Sequence, residues 1–202
     1  GADVLDGGAG IDTASYANAA SAVTVTMTGG TLGDANGDTL ANFENLRGSI
    51  YADTLTGDGN DNSIWGGIGS DIISGGAGND TLYGEDGDDT IQGGAGADTM
   101  DGGLGNNTLS YANSATGVTL SLATSSGSGG DAAGDTFTSF NNLVGSGQND
   151  ILTGDANANS IDGGAGNDTI DGGAGNDTLD GGTGDDTFLG GAGNDVMRGD
   201  GG

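Results

Sequence analysis

The side chains in this sequence that could do chemistry are almost all carboxylates, and they recur at a fixed spacing. Asp71, Asp80, Asp89 and Asp98 stand nine residues apart, and so do Asp168, Asp177, Asp186 and Asp195. Each closes a glycine-rich turn. The full turn Gly-Gly-x-Gly-x-Asp occurs at 7–12, 66–71, 75–80, 93–98, 163–168, 172–177, 181–186 and 190–195. Against 30 carboxylates the only cations are Arg47 and Arg198, so the formal charge is −28. His, Cys and Lys are absent. Ser-His-Asp and thiol mechanisms are therefore excluded for these residues, as are disulfides. A carboxylate pair could hydrolyse a glycoside, but each obvious pair here has a better use in clamping a hard cation through oxygen. No catalytic residue is assigned, and the segment is expected not to be an enzyme.

The charge also limits partners. Nucleic acid needs Lys and Arg on its phosphates, so it is not an expected partner. No apolar run approaches the length of a membrane span. No basic stretch followed by an apolar core is visible at the N-terminus. Low hydrophobicity with high net charge would by itself describe a disordered chain. The period argues otherwise, because acidic low-complexity tails do not place Leu or Ile at every ninth residue.

The elements that must position these carboxylates follow from that period. After each turn comes a three-residue strand with one apolar side chain. These fall at Leu46, Leu55, Ile64, Ile73, Leu82, Ile91, Met100 and Leu109, then at Leu143, Leu152, Ile161, Ile170, Leu179, Phe188 and Met197. A three-residue strand cannot stand alone, but stacked coils can solve this. If two nonapeptides make one coil, residues 18 apart lie above one another at the roughly 4.8 Å strand spacing. The turns then form two columns, with Asp71 above Asp89, Asp80 above Asp98, Asp168 above Asp186 and Asp177 above Asp195. Bare carboxylates at that spacing repel. A Ca²⁺ between them, completed by main-chain carbonyls, satisfies both.

A longer repeat contains the short one. TASYANAASAVTVTM at 13–27 recurs as TLSYANSATGVTLSL at 108–122, and GDTLANFENLRGS at 37–49 recurs as GDTFTSFNNLVGS at 134–146. The chain thus reads as the end of a preceding array (1–15) and two tandem modules. The first has an irregular stretch at 16–47 and an array at 48–110, the second an irregular stretch at 111–144 and an array at 145–202. Val23, Val25 and Met27, like Val118, Leu120 and Leu122, alternate as a strand with one buried face. The Gly-rich pieces at 29–37 and 125–134 read as loops. Both ends of the sequence fall within a repeat, so a longer array is expected.

The eight turns in register resemble the RTX (repeat-in-toxin) family, whose nonapeptides fold as a calcium-binding parallel β-roll. The resemblance implies an all-β fold: a right-handed parallel β-roll, a β-helix or solenoid, with Ca²⁺ ions stacked in the turns of both modules. It also implies the ligands. Carbonyls two and four and Asp six of one turn join carbonyls one and three and Asp six of the turn one coil on. One site would use Gly67, Gly69, Asp71, Gly84, Asp86 and Asp89, another Gly76, Gly78, Asp80, Gly93, Ala95 and Asp98. The second module would use Gly164, Gly166, Asp168, Gly181, Thr183 and Asp186, then Gly173, Gly175, Asp177, Gly190, Ala192 and Asp195. The turn GEDGDD, with Gly87 at its fourth position, keeps Asp89 and should bind, and Asp12 closes a full turn of the preceding array.

Some turns depart from the pattern. Asn62, Asn107 and Asn159 replace the Asp, and GSIYAD at 48–53 and GSGQND at 145–150 lack most glycines. These turns read as weak or unfilled, marking where each array starts or closes. Arg47, Trp65 and Tyr83 are 18 apart and should stack on an outer face. That ladder either shields the strands or offers a contact for a glycan or a neighbouring copy.

The resemblance implies a calcium-dependent structural repeat region of a secreted or cell-surface bacterial protein, of adhesin, surface-layer or matrix type. Export would follow the type I route, with folding on several Ca²⁺ ions outside the cell. The alternative is an accessory tail of a secreted metalloprotease, lipase or alginate epimerase, aiding export and folding.

Overall fold

A computed structural model of the chain describes residues 1–199. One apolar residue per nonapeptide cannot bury itself within its own unit, so the units stack. The strands form two sheets, of twelve and eleven strands, and successive turns carry the chain from one sheet to the other. Residues 18 apart pair in parallel, as in Leu82 with Met100, Ile73 with Ile91 and Ile161 with Leu179. This is the coil of two nonapeptides expected from the period. Among the described residues there are two short 3-10 turns, Gly33–Ala35 and Gly130–Ala132, and no helix long and apolar enough to cross a membrane.

The core is a single file of apolar side chains between the sheets. Leu46, Leu55, Ile64, Ile73, Leu82, Ile91, Met100, Leu109, Leu143, Leu152, Ile161, Ile170 and Leu179 are all buried, while Phe188 is only partly covered and Met197 is exposed. Each fully buried Leu or Ile contributes about 1.5–3 kcal/mol relative to exposure, which makes a thin core for so many ordered glycines.

The irregular stretches belong to the same two sheets. Thr24–Thr26 buries Val25 and pairs in parallel with Thr54–Thr56, while Thr119–Ser121 buries Leu120 and pairs with Ile151–Thr153. The Gly-rich pieces read as loops are in part strands. Gly29–Leu32 and Ser126–Ser128 turn back as antiparallel partners of the preceding strand. Close approach explains the glycine here: a Cβ on Gly30 would collide with the Ala35 side chain and carbonyl.

Because each nonapeptide turn switches sheets while the antiparallel turn-backs do not, and an odd number of switches separates the two modules, equivalent strands lie in opposite sheets. Thr24–Thr26 lies in the twelve-stranded sheet and its counterpart Thr119–Ser121 in the eleven-stranded one.

Candidate metal centres

The stacked turns hold the carboxylates where the period puts them. Asp71 Oδ1 accepts the Asp53 N–H at 2.7 Å, and Asp89 Oδ1 accepts that of Asp71 at 2.8 Å. In the other column Asp80 Oδ1 accepts from Asn62 and Asp98 Oδ1 from Asp80, both at 2.8 Å. The second module repeats this. Asp168 accepts from Asp150 at 2.8 Å, Asp186 from Asp168 at 3.0 Å, Asp177 from Asn159 at 2.9 Å and Asp195 from Asp177 at 3.1 Å. The two oxygens of each Asp are therefore unequal. Oδ1 belongs to the backbone ladder.

Oδ2 is the remaining oxygen. In Asp12, Asp71, Asp80, Asp89, Asp98, Asp168, Asp177 and Asp186 it is buried and meets no hydrogen-bond donor. A single unsatisfied buried polar group costs about 1–3 kcal/mol, more when charged. A repeated file of them calls for a cation.

A second oxygen converges on the same space. A Cβ on Gly66 would run into Asp71 Oδ2 and, at 2.8 Å, the Gly84 carbonyl oxygen. Over Gly75 the pair is Asp80 Oδ2 with the Gly93 oxygen, over Gly163 Asp168 Oδ2 with the Gly181 oxygen, and over Gly172 Asp177 Oδ2 with the Gly190 oxygen. Glycine is needed at this first position because any side chain would fill the cradle. Over Gly84, Asp89 Oδ2 meets the Gly102 oxygen. Gly102 was not among the expected ligands, because Asn107 made its turn look like a gap. Over Gly7 the approaching carbonyl is that of Asn42, from a short connection with no glycine motif, and it lies beside the Asp12 Cβ rather than its Oδ2.

The glycines at the second and fourth positions set the backbone direction. Gly67, Gly76, Gly164 and Gly173 have φ of 116°, 108°, 94° and 88°, and Gly69, Gly78, Gly166 and Gly175 have φ of 137°, 108°, 122° and 137°. L-residues resist these angles. The carbonyls of Asp86, Ala95, Thr183 and Ala192 each accept an N–H from the coil before, from Gly69, Gly78, Gly166 and Gly175. A carbonyl keeps a second lone pair, so they remain able to ligate. Gly87 donates its N–H to Leu104. Among the described residues no three carboxylates gather at one point, so any hard cation here would draw mainly on carbonyls.

The departing turns are closed by protein donors. At Ser49 and Ser146, which stand at the second position, the backbone N–H and the hydroxyl both donate to the turn's own Asp53 or Asp150. Asn62 Oδ1 accepts the Asp58 N–H and Asn159 Oδ1 that of Asp155, each at 2.8 Å. The Asn107 Nδ2 bridges the Gly103 and Ser139 carbonyls at 3.4 and 3.1 Å. At the end of the other column Asp135 replaces a turn Asp: its Oδ1 accepts the Asp98 N–H and its Oδ2 the Tyr111 hydroxyl. Asp38 is held likewise by the Asp3 N–H and Tyr16. The serines were a readable signal. The tyrosines, more than 20 residues from their Asp, were not.

The electrostatics follow from burial. It pushes the Asp71 and Asp98 carboxyls up to about 7, and those of Asp80 and Asp168 up to about 6, from an ordinary 3.8. Asp89 is raised for the same reason. Neighbouring carboxylates, such as Asp89 beside Asp71, add to the rise, while the backbone N–H bonds oppose it.

The outer ladder is as expected. Arg47 pairs with Trp65 and Trp65 with Tyr83, and the two rings stack at 5.9 Å with 7° between their planes.

A family model, RTX calcium-binding nonapeptide repeat (4 copies), matches residues 1–14, 47–82, 74–109, 136–170, 144–179 and 171–202, well over half of the chain. No curated protein matches it.

Proposed function

The chain belongs to the RTX calcium-binding nonapeptide repeat family, and we propose that it is a calcium-dependent structural region of a secreted or cell-surface bacterial protein. Adhesin, surface-layer or matrix proteins need length and stiffness, and two tandem modules in one continuous stack supply both. Catalysis is not assigned to these residues, since every obvious carboxylate pair is part of a turn column.

The observation that carries this reading is the file of buried Asp Oδ2 atoms without donors. In the first module Asp71, Asp80, Asp89 and Asp98 would hold the ions, with the carbonyls of Gly84, Gly93 and Gly102 alongside. In the second, Asp168, Asp177 and Asp186 would do so, with Gly181 and Gly190. When bound, Ca²⁺ supplies charge neutralisation between facing carboxylates. The chain's own residues do the rest: glycines open the cradles, Oδ1 atoms keep the coils in register, and apolar residues fill the core. Because such sites do not exist in the unfolded chain, binding free energy becomes folding free energy. A chain of charge −28 would then stay extended where calcium is scarce and fold in extracellular calcium.

Far-UV circular dichroism with calcium and with excess EGTA tests this. Parallel β-structure should form on calcium addition and be lost on chelation. β-structure indifferent to EGTA would refute the proposal.

A further inference from the structure

One turn reaches the ion-binding shape without the glycine that shape demands. In the turn 84–89 the second position is Glu85, with φ of 73°. In the other turns where an Asp Oδ2 is left without a donor, that position is glycine. Where the second residue is not glycine and φ is not positive, as at Ser49, Asp58, Ser146 and Asp155, its N–H donates to the turn's own Asp or Asn. Positive φ therefore turns the N–H away and frees Oδ2. Glu85 does this against its own preference, and Asp89 Oδ2 is free accordingly.

Arg47 accounts for how it is held there. The Arg47 guanidinium reaches past the Trp65 coil, with Nη2 3.0 Å from Glu85 Oε2 and 3.4 Å from Oε1. The second module holds the same turn without the strap. At the equivalent positions, 97 residues on, Glu85 is replaced by Gly182 (φ 75°) and Arg47 by Val144. The strained residue and its tether are present together or absent together.

We propose that Arg47 and Glu85 form a strap that sets the calcium threshold of the Asp71 and Asp89 cradles, on either side of residue 85, in the first module. The left-handed Glu85 raises the concentration at which this part of the array folds, and the ion pair recovers part of that cost. Arg47 and Glu85 are positioning residues, and neither is offered as a ligand through its side chain. The inference rests on the calcium reading above.

Trp65, the single tryptophan, lies in the strand between Arg47 and Tyr83 and reports locally on this region. Calcium titrations followed by Trp65 fluorescence on the full chain give the test. Glu85→Gly should lower the midpoint by about two- to fivefold, the net of a roughly tenfold gain from one relieved left-handed residue and the loss of the ion pair. Arg47→Gln should raise it by about two- to fivefold, as expected for a partly exposed ion pair. Glu85→Gln, which keeps the strain and loses the charge, should match Arg47→Gln. In the Glu85→Gly background, Arg47→Gln should have little further effect. A midpoint unmoved by Glu85→Gly, or an Arg47→Gln shift of equal size in both backgrounds, overturns the strap. A wild-type chain that responds to calcium with a flat cycle overturns the strap alone. One that ignores calcium by fluorescence and circular dichroism overturns the calcium reading and the strap with it.

Discussion

At the scale of single residues, what separates an ion-binding turn from a closed one is which group meets Oδ2 of the sixth residue. Two substitutions isolate this. Asn107 sits in a turn whose second residue, Gly103, already has φ of 78°. Its Nδ2 stands between two carbonyls where a cation could stand. Asn107→Asp should therefore add one calcium ion per chain, counted by isothermal titration calorimetry. Asn62→Asp should add none, because the Asp58 N–H already serves that oxygen, as the Ser49 N–H serves Asp53. Equal stoichiometry in both variants would contradict this account. Much of this was legible in the sequence. The sixth-position Asp residues, the Asn interruptions and the serine turns could all be read from residue type and register. The unequal roles of Oδ1 and Oδ2 could not, because a hydrogen bond from the coil before decides them. Nor could the Tyr111–Asp135 contact, which depends on how an irregular stretch folds back.

At the scale of elements, the nine-residue period specified strands, coil size and core with little left over. Leu and Ile at every ninth residue are buried because nothing else in each unit can be. The period says nothing about the stretches it skips. Gly29–Leu32 and Ser126–Ser128 read as loops because glycine and serine carry no apolar alternation, yet they pair as strands. Tertiary context supplies the pairing: a neighbouring strand already fixed by Val25 or Leu120 offers an edge. Strand length also differs between modules. Ser63–Ile68, Ile72–Ala77, Thr81–Asp86 and Thr90–Ala95 run on into their turns, while the second array has three-residue strands and isolated bridges such as Ala165 with Thr183.

At the scale of the whole molecule, charge decides when the stack can exist. The buried carboxyls of Asp71, Asp80, Asp98 and Asp168 titrate at about 6 to 7, above their ordinary 3.8. Between roughly pH 4 and 7 the folded chain thus holds more protons than the unfolded one. Without calcium, stability must fall as pH rises through this window. Protons and calcium compete for the same oxygens. In EGTA, β-structure should increase as pH is lowered from 8 to 4. In calcium, the midpoint for forming β-structure should then move to lower concentration over the same change, because protonation already supports part of the fold. Circular dichroism at a series of pH values reads both, and a midpoint independent of pH would contradict the assignment of these carboxyls as ligands.

The central claim is that cations lie at the orphaned Asp oxygens and that the closed turns hold none. Anomalous diffraction from crystals of the calcium- or lanthanide-loaded chain locates the ions directly. The account expects peaks beside Oδ2 of Asp71, Asp80, Asp89, Asp168 and Asp177, each near the first-position carbonyl of the next coil, and beside Oδ2 of Asp98 and Asp186, with no peak at Asn62, Asn159, Asp53 or Asp150. Peaks at those closed turns, or none beside the buried Oδ2 atoms, would contradict it.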